Sequence, residues 1–67
     1  MPMVQMTLLK GRDEEKVQQL MKNVARVISE TIGAPLETIR IMVNEIPPTR
    51  FAVGDKLKSE TLPNGKP

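Results

Sequence analysis

The sequence predicts an α+β fold: one small βαβ unit with parallel strands, a short second helical turn and a C-terminal hairpin. Three observations carry this prediction. An apolar run with two-residue alternation opens the chain, a long segment then repeats apolar residues at helical spacing, and a second β-branched run ends at a proline pair.

The first strand spans residues 2–9, Pro-Met-Val-Gln-Met-Thr-Leu-Leu. Val4, Met6 and Leu8 share one face, and Met3, Gln5, Thr7 and Leu9 share the other. Both faces are partly apolar, as expected of a strand covered on two sides. Pro2 suits the first position, where no ladder donor is required. Lys10-Gly11-Arg12 is a turn. Asp13 then predicts an N-cap, with Glu14 and Glu15 placed at the positive end of a helix over 13–32. Val17, Leu20, Met21, Val24, Val27, Ile28 and Ile32 form its apolar stripe. Gly33 offers a left-handed stop and Pro35 follows.

One helical turn is expected over 35–38, and the second strand over 39–46, ended by Pro47-Pro48. A strand, a long helix and a strand predict parallel pairing through a right-handed crossover. Phe51-Ala52-Val53 and Lys56-Leu57-Lys58 flank Gly54-Asp55, a two-residue hairpin turn. The expected organisation is a single domain over 1–60 and a flexible tail over 61–67.

Composition narrows the function. The chain has 67 residues, no cysteine, no histidine and one aromatic residue, Phe51. A domain of this size buries only about 60% of its unfolded surface. Disulfides, thiolate zinc sites, imidazole metal sites and thiol or Ser-His nucleophiles are excluded by the missing residue types. Oligomerisation is then the expected source of stability, since a two-stranded sheet with one helix leaves open edges and a bare face.

The net charge is +2, spread as +2 over 1–12, −2 over 13–37 and +2 over 38–67. Nucleic-acid binding needs clustered charge and stacking aromatics, and neither is present. No stretch reaches the ~20 apolar residues of a membrane span, and no basic region precedes an apolar run at the N-terminus. A soluble, cytoplasmic protein is expected, with no nucleic-acid or membrane partner.

The remaining catalytic groups are carboxylates, lysines, arginines, hydroxyls and the chain terminus. No carboxylate spacing suggests a metal cage, and Glu14 and Glu15 are explained by the helix dipole. Met1-Pro2 stands out, because removing the initiator methionine would expose a prolyl secondary amine. Arg12 ends the first turn, and Arg40 lies between Ile39 and Ile41. An arginine inside an apolar strand is costly unless paired or facing a site. Its planar fork suits carboxylates, either of a ligand or of neighbouring subunits.

Together these features resemble the 4-oxalocrotonate tautomerase family. They are Met1-Pro2 opening a strand, Gly11-Arg12 before an acidic helix start, Ala34-Pro35 after the helix, Arg40 in the second strand, and Phe51-Ala52-Val53-Gly54 after a proline-containing loop. The resemblance runs without gaps over roughly residues 2–60. It implies that Pro2 is a general base that returns the proton as an acid. It implies that Arg40 binds one carboxylate and the adjacent oxo group, that Arg12 binds the distal carboxylate, and that Phe51 keeps the site apolar. It further implies dimers assembled into a hexamer, with sites built from more than one subunit and chains that are identical or of two kinds. The implied substrate is a small unsaturated 2-hydroxy or 2-oxo dicarboxylic acid, 2-hydroxymuconate-like, from aromatic hydrocarbon catabolism. No metal and no cofactor are implied.

The chemistry is consistent with that reading. Desolvation by Phe51 and the positive charge of Arg12 and Arg40 would each lower the pKa of a terminal amine, making it a better base. Arg40 would stabilise the dienolate as charge develops. Two departures stand out. Family members commonly carry a Gly-Gly pair where this chain has Gly54-Asp55, and Arg50 adds a cation beside Phe51 that is either solvated or turned into the site. Two alternatives remain open at this level. One is hydration, dehalogenation or decarboxylation, for which Glu45 and Asp55 are the only candidate water-activating acids. The other is a non-catalytic subunit that lends arginines to a partner's site.

Overall fold

The computed structural model describes residues 1–61, so the expected tail over 61–67 lies outside the described residues except for Thr61. The chain folds as β1 (Met3–Leu9), α1 (Glu14–Ile32), a 3-10 turn (Leu36–Thr38), β2 (Arg40–Ile46), a second 3-10 turn (Pro48–Arg50), β3 (Ala52–Val53), β4 (Lys56–Leu57) and α2 (Lys58–Thr61). β1 and β2 pair in parallel, in register from Met3–Arg40 to Leu9–Ile46. β3 and β4 form the antiparallel hairpin. The βαβ unit and hairpin expected from the pattern are therefore present.

Local chemistry explains the elements. The Asp13 side chain caps α1 by accepting from the Glu15 N–H at 3.4 Å, which satisfies one orphan donor. Gly33 ends the helix at φ +78°, and its N–H donates to the Ser29 carbonyl at 2.9 Å. The Ser29 hydroxyl donates to the Ala34 carbonyl at 2.7 Å, which ties the chain leaving the helix back onto its last turn. Proline residues precede both 3-10 turns: Pro35 caps the first, and Pro47 caps the second with Pro48 inside it.

Burial along β1 and β2 alternates in step, so Val4, Met6 and Leu8 face α1 with Ile41 and Val43. Among the described residues, only Val17 and Ile39 are buried, at 4% and 8% exposure, so they alone form a very small core. The α1 stripe is wider than the two strands can cover. Val17, Met21, Val24 and Ile28 pack inward, while Leu20, Val27 and Ile32 stay exposed. The opposite sheet face is also bare, with Met3 and Met42 among its exposed side chains. Two elements differ from expectation. Residues 48–50 turn helically because Pro48 sets φ near the helical value. Lys58 opens α2 instead of continuing β4, although its N–H still donates to the Phe51 carbonyl opposite it at 2.8 Å. Among the described residues, no helix is long and apolar enough to cross a membrane.

Candidate active site

Pro2 is half-buried at the entry to β1, and its carbonyl accepts the Arg40 N–H at 3.0 Å. This bond extends the parallel ladder by one step and holds the starts of both strands together. Met1, outside the ladder, is 78% exposed. Its removal would disturb almost no packing.

Arg40 pairs in register with Met3, one residue past Pro2, and faces away from the helix, and its Nη1 donates to the Glu37 carbonyl at 2.9 Å. The burial cost expected of an arginine between two isoleucines does not arise within the chain. Alternation sends Ile39 and Ile41 inward and leaves Arg40 on the open face.

Arg12 and Phe51 lie at the other end. Gly11, at φ +135°, turns the chain after β1. The Arg12 Nη1 then donates back to the Leu9 carbonyl at 3.1 Å. Phe51 follows the two-proline turn, and its carbonyl accepts the Lys58 N–H at 2.8 Å. Its ring closes a small hollow of about 80 Å³ with Thr7, Leu8, Leu9 and Ile46. Of these five residues, sequence pattern points to Phe51 alone as a site residue. The other four lining residues come from the in-register ends of the two parallel strands, which only the pairing reveals.

The four expected residues thus form two pairs. Pro2 and Arg40 sit where the parallel strands begin, and Arg12 and Phe51 sit where they end. At about 3.3 Å per residue, β1 separates the two ends by roughly 23 Å. No single chain brings all four around one small molecule. A second, larger hollow of about 180 Å³ lies between them on the sheet, lined by Gln5, Met6, Thr7, Met42, Val43 and Asn44. It holds no titratable group.

The carboxylates named for water activation are not at the Pro2 end. Glu45 pairs with Leu8 on the helix side near the strand ends, and Asp55 lies in the hairpin turn. Among the described residues, no three carboxylates converge as metal ligands would.

Comparison with known proteins shows which family the chain resembles. Residues 2–61 match the family described as Tautomerase enzyme. The chain is 38% identical over 60 residues to a probable tautomerase of Lactiplantibacillus plantarum, covering 90% of this chain and 94% of that one. It is 32% identical over 60 residues to a 2-hydroxymuconate tautomerase of Pseudomonas putida, covering 90% and 95%. Among solved structures, it superposes on a heterohexamer 4-oxalocrotonate tautomerase from Chloroflexus aurantiacus J-10-fl with a TM-score of 0.83. The identity there is 27%, over 92% of this chain and all of that one.

Proposed function

The chain belongs to the tautomerase enzyme family, and on that premise we propose that Pro2, once Met1 is removed, is the base that moves a proton within a 2-hydroxymuconate-like diacid. The observation that carries this reading is the placement of Pro2. It is half-buried at the mouth of the parallel sheet, one ladder step from Arg40, and follows the exposed Met1.

The proton path is short. The Pro2 nitrogen lone pair takes a proton from the bound dienol, leaving a dienolate. The resulting ammonium returns that proton to a carbon further along the conjugated chain, a net 1,3- or 1,5-shift. Protons and electrons balance within the substrate, so the cycle uses no external reductant or oxidant. Arg40 binds one carboxylate and the neighbouring oxygen, where charge develops in the dienolate. Arg12 binds the distal carboxylate through its fork. Phe51 and the hollow it closes exclude water, which strengthens both contacts.

Because Pro2 and Arg12 lie at opposite ends of β1, the complete site joins the Pro2 end of one chain to the Arg12 end of another. The bare sheet face and the exposed Leu20 and Val27 supply the apolar surface for such an assembly. We read the assembly as a hexamer of identical chains, with two kinds of chain as the alternative. A heterohexamer is known for the Chloroflexus relative.

The test is intact mass spectrometry of the purified chain, under denaturing and native conditions, followed by ketonisation assays on 2-hydroxymuconate. The reading expects a mass lower by one methionine, a multiple of the single chain in the native spectrum, and turnover that Pro2→Ala reduces by about 100-fold or more. Unchanged turnover in a verified Pro2→Ala preparation overturns it.

A further inference from the structure

We propose that Thr38 is a positioning residue for Arg40: it fixes the Glu37 carbonyl that aims the Arg40 guanidinium. The inference rests on the reading of Pro2 and Arg40 given above and adds to it the local device that orients the arginine.

Arg40 opens β2 on the bare face of the sheet, with its side chain exposed. A long side chain in that setting samples many rotamers, and ordering it on binding costs free energy. Here the guanidinium is already tied, because its Nη1 donates to the Glu37 carbonyl at 2.9 Å. A carbonyl partner sets direction without the full opposing charge of a carboxylate. A guanidinium carries five N–H donors, so the rest of the fork remains for the substrate carboxylate and the adjacent oxygen.

The direction of that carbonyl is set by Thr38. The Glu37 carbonyl and the Thr38 N–H belong to one peptide group, which is planar and trans, so the two point in opposite directions. The Thr38 N–H donates back to the Pro35 carbonyl at 3.0 Å, which turns the Glu37 carbonyl forward, toward Arg40. The Thr38 hydroxyl donates to the same Pro35 oxygen at 2.7 Å, a second bond from one residue to one acceptor. That acceptor is itself held. The Pro35 ring keeps its φ at −60°, and the Ala34 carbonyl just before it accepts the Ser29 hydroxyl of α1 at 2.7 Å. At the exit of the turn, the Ile39 N–H donates to the Leu36 carbonyl at 3.1 Å and the Ile39 side chain is buried. Thr38 is therefore the side chain that links a turn anchored on α1 to the arginine of β2. All of these bonds lie within residues 29–40 of one chain, so the device serves Arg40 whichever chain supplies the Pro2 of its site.

The test is steady-state ketonisation of 2-hydroxymuconate by Thr38→Val and Thr38→Ser chains, with Thr38→Val also made in an Arg40→Gln background. Native mass spectrometry verifies assembly of each. Valine keeps the branched shape of threonine and removes the hydroxyl. Thr38→Val is expected to lower kcat about 3- to 10-fold, the worth of one hydrogen bond expressed in the transition state. Thr38→Ser keeps the bond and is expected to stay within about twofold of wild type. With Arg40 replaced, the hydroxyl has nothing to aim, so Thr38→Val is expected to lower kcat by less than about twofold in the Arg40→Gln background. A role in folding alone would carry the same loss into both backgrounds. Unchanged kinetics of Thr38→Val overturn the proposal, as does an equal loss in both backgrounds or a Thr38→Ser chain as slow as Thr38→Val. If Thr38→Val does not assemble, Thr38→Ala takes its place, and failure of both to assemble assigns Thr38 to folding and overturns the proposal as well. Failure of the underlying reading shows separately, as a wild type that does not ketonise or an Arg40→Gln chain as fast as wild type.

Discussion

Pro2→Ala and Arg12→Ala chains, each impaired alone, are expected to regain activity when unfolded together and reassembled. The reason is the separation of the two residues within one chain. Pro2 begins β1, and Arg12 folds back onto the Leu9 carbonyl where β1 ends, about 23 Å away at 3.3 Å per residue. The end carbons of a six-carbon diacid lie only about 6 Å apart, less than the reach of two extended residues. On the proposed reading, one molecule would therefore touch the Pro2 of one chain and the Arg12 of another. Losing the base is expected to cost a factor of about 100 to 10,000. Losing the charged hydrogen bonds of Arg12 is worth about 1.5–3 kcal/mol, or roughly 10- to 150-fold in kcat/KM. In an equal mixture with random assembly, about a quarter of the sites receive an intact Pro2 from one variant and an intact Arg12 from the other. Steady-state ketonisation should then recover to roughly a quarter of the wild-type kcat, with a wild-type KM at those sites. Activity no higher than the mean of the two parents, in a sample whose native mass spectrum shows mixed oligomers, refutes the reasoning.

Further outcomes follow from other parts of the chain. Arg40→Gln should lower kcat by about 100- to 1,000-fold, the cost of a lost donor at a developing oxyanion, and stopped-flow single turnovers can assign the loss to the chemical step. Ile39→Ala removes one of the two side chains buried among the described residues and should cost about 2–5 kcal/mol in denaturant titrations at fixed protein concentration. Gly33→Ala should cost about 1 kcal/mol from its positive φ alone, since an added Cβ there meets no atom within 4 Å. Gly33→Asn should recover part of that loss in the same titration. Because so little of the chain is buried within itself, its melting temperature should rise with protein concentration in scanning calorimetry over a dilution series, and a melting temperature independent of concentration would count against this.

Much of the fold was legible in the sequence because its signals are local. Two-residue alternation placed Val4, Met6 and Leu8 on one face, and Asp13 and Gly33 bounded the helix through caps that involve only nearby atoms. The short second helix and the turn at Pro48 were not legible. Their conformations depend on how far the hairpin extends and on what packs against it. The stripe on α1 was read correctly as apolar, but periodicity alone does not tell how wide a sheet lies beneath it. Two strands cover Val17 and Met21 and leave Leu20 and Val27 in the open.

The candidate site divides in the same way. The chemical inventory is legible in the sequence: with no imidazole and no thiol, the Pro2 amine is the best remaining candidate for a base, and the family resemblance implies that Arg12 and Arg40 bind carboxylates. The resemblance itself is legible there too, since it lies in residue types at fixed spacings. Where these residues stand depends on long-range packing. Parallel pairing aligns the strand starts at Pro2 and Arg40 and the strand ends at Leu9 and Ile46, which separates the two halves of the site by the length of a strand. That register arises from long-range packing of both strands against α1. A local pattern constrains which face a residue occupies, while its distance from residues far along the chain is set by how the elements pack.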